Sequence, residues 1–143
     1  MSGPLISIII RSKNEERWIG YCLREVYNQS YTNIEVIIVD NNSTDSTLVK
    51  AKQFPVIVVN IDKYFPGKAI NTGINASNGQ VIVFLSGHCI PASTRWLENL
   101  ISNFKEFVNA VKKSKPDSIK GKFINKIYLS TSMGPSMRIE NIK

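Results

Sequence analysis

The sequence predicts an α/β fold, a mostly parallel, Rossmann-like sheet flanked by helices. Three observations carry this reading. Short and nearly unbroken apolar runs at residues 5–10, 34–39, 56–61 and 81–85 have the length and β-branched content of strands buried on both faces. Between them lie segments whose apolar residues recur three and four apart, the period of an amphipathic helix. The two kinds of segment alternate along the chain, which calls for right-handed crossovers and therefore for parallel neighbours.

Residues 5–10 make the first strand, and Arg11-Ser12-Lys13-Asn14 the loop at its carboxyl end. Asn14 is placed to cap a helix on which Trp18, Ile19, Cys22, Leu23, Val26 and Tyr27 form one face, with Glu15 and Glu16 set favourably against the helix dipole. The second strand ends on Asp40 and runs at once into Asn41-Asn42-Ser43-Thr44-Asp45, so a carboxylate stands at the tip of a strand-to-helix corner. Ser43 or Thr44 can cap the short helix 45–53 that follows. Ligands of open α/β sheets bind beyond the carboxyl ends of the strands, which makes Asp40 a candidate ligand contact; the alternative is that it only caps the next helix.

Pro55 ends that helix, and 56–61 is the third strand. A loop at 62–67 leads into a helix at 68–76 with Ala69, Ile70 and Ile74 on its apolar side, closed by Asn78-Gly79. Beyond the fourth strand comes Ser86-Gly87-His88-Cys89-Ile90-Pro91, and then Ser93 as a cap for the longest helix. Trp96, Leu97, Leu100, Ile101, Phe104, Val108 and Val111 mark its face. Residues 118–127 read as an exposed edge strand, and 130–143 carry no clear period. Residues 1–111 are thus expected to be one α/β domain, and 112–143 its basic C-terminal extension.

A chain of 143 residues can bury a single core without metals or disulfides. Its start has neither the basic region nor the small-residue cleavage site of a signal peptide. Cys22 and Cys89 make neither a disulfide framework nor a zinc spacing, which suits a reducing, cytoplasmic setting. The net charge of +7 is unevenly placed: residues 1–104 hold nine Lys/Arg against eight Asp/Glu, and residues 105–143 nine against three. Such an end can meet an anionic surface, or it can be a solvated face. Its lysines are spread along the segment with one arginine, Arg138, among them, which favours the solvated face; no nucleic-acid partner is expected, a nucleic-acid contact being the remote reading, and peripheral contact with the inner face of a membrane is the alternative.

Two common nucleotide signatures are absent from the sequence. The first strand-to-helix turn, RSKNEE, has no glycine with which to bring its backbone against a pyrophosphate, and no GxxxxGK[ST] occurs. There is no G-x-S-x-G elbow, and His88 is the sole histidine, which disfavours a serine or cysteine hydrolase.

The ordered segments ISIIIRSKNEE, IEVIIVDNNSTDST and GKAINTGINASNGQVIVFLSGHCIP, with the helix from Trp96, resemble the nucleotide-binding half of glycosyltransferase family two over about residues 5–111. The resemblance implies a GT-A fold, here truncated, and inverting transfer of a sugar from a nucleotide-diphosphate donor, a UDP-sugar, to a glycan or lipid-linked acceptor. It points to Ser12, Asn14 and Glu15 beside the nucleobase and to Asp40, with Asn42, at the uracil ring N–H or ribose. It places Lys68, Asn71 and Gly73 on the family's basic residue and Asn-x-Gly, with Lys68 opposite the diphosphate and Ser86 also at the nucleotide. Where the family has Asp-x-Asp holding a divalent cation, manganese or magnesium, this sequence has Ser86-Gly87-His88. His88 is then the one candidate metal ligand, and the cation site is weakened.

The resemblance also implies an acceptor half that residues 112–143 are too short to supply, and no residue matches the family's general base. The competing reading is a nucleotide-sugar-binding module that is catalytically incomplete. Sheet and helix faces that a longer chain would cover favour a homodimer.

Overall fold

The computed structural model describes residues 3–116, 127–129 and 137–139. The elements are β1 (Ile6–Ser12), α1 (Ile19–Tyr27), β2 (Ile34–Asp40), α2 (Thr47–Ala51), β3 (Val56–Asn60), α3 (Pro66–Asn75), β4 (Val81–Ser86), α4 (Trp96–Lys113), β5 (Ile127–Leu129) and β6 (Met137–Ile139). The chain divides into two compact units, Met1–Leu97 and Glu98–Lys143.

In the first unit the strands lie in the order β3-β2-β1-β4, every pair parallel. From β1 the chain steps outward through β2 to β3, then crosses back over the sheet to place β4 on the other side of β1. Right-handed crossovers therefore put α3 on the face opposite α1. The reversal also makes the crevice between the carboxyl ends of β1 and β4 the topological switch point, where ligands of such sheets bind.

Alternation sorts the strand residues between the two faces. Ile9, Ile37 and Val39 are buried together with Ile61 and with Ala69 of α3. Gly73 lets α3 approach closely, since a Cβ there would overlap the Ile9 side chain and lie 3.1 Å from Val39 Cγ2. From the other face project Ile8, Ile10, Val36 and Ile38, all buried, as are Ile19, Cys22, Leu23 and Val26 of α1. At the amino ends of the strands Glu35 gathers donors: Ser7 Oγ at 2.5 Å, Asn78 N at 2.5 Å and Gly79 N at 3.0 Å. A Cβ on Gly79 would stand 2.7 Å from Ser7 N and 2.9 Å from Leu5 O, so this turn admits only glycine. Burial pushes the Glu35 carboxyl up, but the bonds from Ser7, Asn78 and Gly79 outweigh it and hold it below its ordinary value.

Several boundaries differ from those the sequence suggests. β1 continues through Arg11 and Ser12 because both still pair, Arg11 with Val39 and Ser86 and Ser12 with Asp40. α1 starts at Ile19, so Glu15 and Glu16 precede it and its first turn holds no acid. Asn14 is not its cap: its φ is 53°, a left-handed position asparagine tolerates, and its side chain turns to the neighbouring loop. Neither Ser43 nor Thr44 caps α2, which begins at Thr47; the Asp45 carboxylate accepts the Thr47 N–H instead. α3 starts two residues before Lys68, with Pro66 at its first position, where a missing N–H costs nothing.

The start of α4 is anchored by Gln29, a residue read from the sequence only as part of a polar connection. Gln29 is buried; its Oε1 accepts the Leu97 N–H at 3.0 Å, and its Nε2 donates to Glu25 O and Ser93 O at 3.0 and 2.8 Å. Ser93 offers its carbonyl rather than its hydroxyl, accepting the Trp96 N–H at 3.2 Å.

In the second unit β5 and β6 pair antiparallel, Ile127 opposite Ile139 and Leu129 opposite Met137. The stretch from residue 130 onward, for which the sequence showed no period, thus contributes a strand. Except for Ile127, the edge strand expected at 118–127 lies outside the described residues.

Candidate functional site

The carboxyl edge of the sheet brings most of the sequence-predicted residues together. Ser12 and Asp40 are register partners at the ends of β1 and β2, and Arg11 and Ser86 at the ends of β1 and β4. The ladders run on into the loops: Asn41 N donates to Ser12 O at 3.0 Å, and Gly87 N to Arg11 O at 3.0 Å. All the loops at this end therefore leave from one level.

Asp40 is buried and both its oxygens are used by Ser43, Oδ2 by the backbone N–H at 2.8 Å and Oδ1 by the hydroxyl at 2.5 Å. An ionised carboxylate has about four acceptor positions, so two bonds leave capacity for a ligand donor. Ser43 Oγ in turn accepts the Asn14 N–H at 2.9 Å, and Asn14 Oδ1 accepts the Thr44 N–H at 2.9 Å. Asn42, exposed with φ 50°, is the tip of this loop. Further along, Glu15 N donates to Thr47 Oγ1 at 2.7 Å, Glu16 N to Asp45 Oδ2 at 3.1 Å, and Ser46 N to Glu16 Oε2 at 2.9 Å. The loops after β1 and β2 are thus laced into one rigid wall, with Asp40 at its base. Desolvation pushes the Asp45 carboxyl up, but the bonds from Thr47 and Glu16 outweigh it and hold it below its ordinary value.

At the switch point two polar atoms are buried with no hydrogen-bond partner, Ser12 Oγ and Arg11 Nε. Buried polar groups in native proteins are nearly always satisfied, so this pair marks a place where a ligand would complete the bonding. Arg11 Nη1 donates to Tyr64 Oη at 3.0 Å, which ties the loop after β3 to β1. Lys63 lies over the Phe65 ring at 5.3 Å, and Tyr64 and Phe65 are both exposed. Lys68 and Asn71 sit exposed on α3, Lys68 in its first turn. That turn's free N–H groups and Lys68 together suit an anion. Tyr64 was missed from the sequence, since nothing in a lone Tyr signals a partner so far along the chain, and Ser43 was read only as a helix cap.

The fourth-strand loop carries Ser86, Gly87 and His88. His88 is exposed, and its Nδ1 lies 2.7 Å from Glu15 Oε1. Glu15 is thereby engaged by the protein through one oxygen, at the position that the family resemblance sets beside the nucleobase. Beneath the loop, Cys22 Sγ lies 4.0 Å from Ser86 O. Burial, with Cys89 and Glu15 nearby, pushes the Cys22 thiol up to about 12, so it stays protonated and plays no part as a nucleophile.

Among the described residues no group of three or more His, Cys, Asp or Glu is arranged to hold a metal ion. The donor set at the position of the family's cation is one imidazole and one serine hydroxyl. This fits a cation held chiefly by a nucleotide's own phosphates, with His88 as a single protein ligand, and does not fit a cation held by the protein alone.

A parallel α/β sheet whose polar loops gather at this switch point defines a module of the Rossmann-like class. The chain belongs to the family described as glycosyl transferase family 2, whose model matches residues 7–139. It is 37% identical over 107 residues to glycosyltransferase AglE of Haloferax volcanii, covering 69% of this chain and 35% of that protein. It is 36% identical over 132 residues to the dolichyl N-acetyl-alpha-D-glucosaminyl phosphate 3-beta-D-2,3-diacetamido-2,3-dideoxy-beta-D-glucuronosyltransferase of Methanococcus voltae, covering 85% of this chain and 40% of that protein. The chain thus spans well under half the length of these relatives.

Solved structures share the GT-A fold. Glucosyl-3-phosphoglycerate synthase from Mycobacterium tuberculosis, in complex with Mn2+, UDP and phosphoglyceric acid, superposes with a TM-score of 0.62 at 22% identity, covering 71% of this chain and 39% of that one. The mannosyltransferase PcManGT from Pyrobaculum calidifontis, in complex with GDP-Man and Mn2+, gives 0.62 at 22% identity, covering 68% and 31%. A different likeness covers less of the chain. Over 44 residues it is 48% identical to the large ribosomal subunit protein uL1 of Orientia tsutsugamushi, 31% of this chain and 18% of that protein.

Proposed function

We propose that this chain is the donor-binding part of an inverting glycosyltransferase that moves a sugar from a UDP-sugar to a hydroxyl of a glycan or lipid-linked acceptor. The observation that carries the reading is the pair of unpartnered buried polar atoms at the switch point, Ser12 Oγ and Arg11 Nε, beside an Asp40 whose carboxylate keeps acceptor capacity. Uracil presents one ring N–H, which Asp40 accepts; Ser12 and the Asn14–Asn42 wall complete the nucleoside pocket. Lys68, the first turn of α3 with Asn71 behind it, and Ser86 face the diphosphate, with Arg11 near the end of β1 and Lys63 on the loop after β3. A bound divalent cation would add charge against the departing diphosphate, with His88 holding it. Cationic side chains contribute the rest of that stabilisation. We assign no residue of this chain to the general base, and a nucleotide-sugar-binding module without turnover of its own is the alternative. A lipid-linked acceptor is supported by the dolichyl phosphate acceptor in the name of the Methanococcus voltae relative. Calorimetric titration with uridine, guanosine and adenosine diphosphates and their sugars tests the reading: UDP or a UDP-sugar binds best, and equal or absent binding of all of them overturns it.

A second reading concerns the second unit alone. The matches to uL1 span 44 and 69 residues, 31% and 48% of the chain, and the shorter is close in length to the unit Glu98–Lys143. With the basic excess at residues 105–143, this supports a uL1-related segment that meets an anionic polymer such as RNA. RNA binding that weakens steeply with salt supports it; no binding at low salt removes it.

A further inference from the structure

Glu15 and His88 come from the loops after β1 and β4, 73 positions apart, and meet across the switch point at 2.7 Å. Room for the contact is built in, because a Cβ on Gly87 would lie 3.1 Å from Glu15 Cγ. A carboxylate only accepts, so in the neutral ring the proton stands on Nδ1 and Nε2 keeps its lone pair. A histidine whose far nitrogen is held by a carboxylate is the arrangement that orients metal-ligating imidazoles and raises their basicity. The same contact occupies the Glu15 oxygen that would otherwise be available to a nucleotide.

We propose that Glu15 is a positioning residue: it holds His88 in the Nδ1–H tautomer and presents Nε2 as the one nitrogen ligand to a divalent cation carried on the donor's diphosphate. This rests on the donor-binding reading above. A nitrogen ligand in place of two carboxylates shifts preference from magnesium, which wants oxygen, toward manganese, cobalt and zinc. The site then selects its cation by one oriented imidazole.

The test is Mn2+ binding to the full chain with UDP at pH 8. Affinity is read by titration, and the ligand atom by pulsed electron paramagnetic resonance, which detects a coordinated nitrogen. The expected result is a nitrogen coupling in the parent, absent in His88→Asp, with Mn2+ bound at least about tenfold more tightly than Mg2+. Glu15→Ala lowers Mn2+ affinity by about 10- to 100-fold, and the isosteric Glu15→Gln by less. UDP binding without any nitrogen coupling, or Mn2+ affinity equal in the parent and both Glu15 variants, overturns the proposal while leaving donor binding standing. Absence of UDP binding under every condition overturns the donor reading, and this proposal with it.

Discussion

At the scale of single residues, the two acceptors at the foot of the wall separate folding from binding. Ser12 Oγ is buried and unpartnered, so Ser12→Ala removes no bond from the free protein. Its stability stays level or rises in urea unfolding, while UDP affinity falls by about 1 kcal/mol, the worth of one hydrogen bond. Asp40 differs because Ser43 already uses both its oxygens. Asp40→Asn keeps the size of the side chain but presents an N–H2 to a donor, so it costs loop stability as well as about 1 to 3 kcal/mol of uridine-nucleotide affinity. Calorimetry alongside unfolding curves checks both variants. Unchanged affinity in either variant removes that residue from the nucleoside pocket.

At the scale of elements, the packing of α3 and the clasp of Glu35 are the sensitive points. Gly73→Ala pushes a methyl into Ile9 and Val39 and destabilises by about 1 to 3 kcal/mol, measured by urea unfolding. Glu35 makes a pH-dependent contribution whose sign follows from its bonds. Its folded-state carboxyl lies below its ordinary value, so the contribution is complete above that value and is lost as pH falls through the folded one. Glu35→Gln therefore flattens the acid limb of the stability profile and lowers stability at neutral pH. The elements themselves were legible from sequence because their apolar runs and helical periods are strong, and the GT-A fold they imply is the one found. What stayed hidden depends on contacts between distant segments. Gln29 looks like any loop glutamine until Leu97 arrives at its carbonyl, and Arg11 looks like loop until β2 and β4 pair beside it. The Glu15–His88 contact likewise joins two loops whose separate motifs point each side chain at a ligand instead.

At the scale of the molecule, the first unit's sheet ends in β3 on one side and β4 on the other, and neither has a second neighbour among the described residues. Ile57 on β3 is exposed, as is Val49 on α2. Open edges and exposed apolar groups seek partners, and a second copy would cover them. Sedimentation at high micromolar concentration is expected to show a dimer or larger, and a monomer there contradicts it. No helix among the described residues is long and apolar enough to cross a membrane.

The donor site is tested most directly by titrating UDP into the chain, with Mn2+ and with chelator, at low and at high salt. In the donor-binding reading the exposed Lys63 and Lys68 face the diphosphate, the loops around Asp40 face the nucleoside, and one imidazole stands in place of two carboxylates. UDP is therefore expected to bind under both metal conditions, with manganese strengthening binding modestly and salt weakening it more than chelation does. No binding of UDP with or without manganese, at low salt and with the chain shown to be folded, contradicts the account.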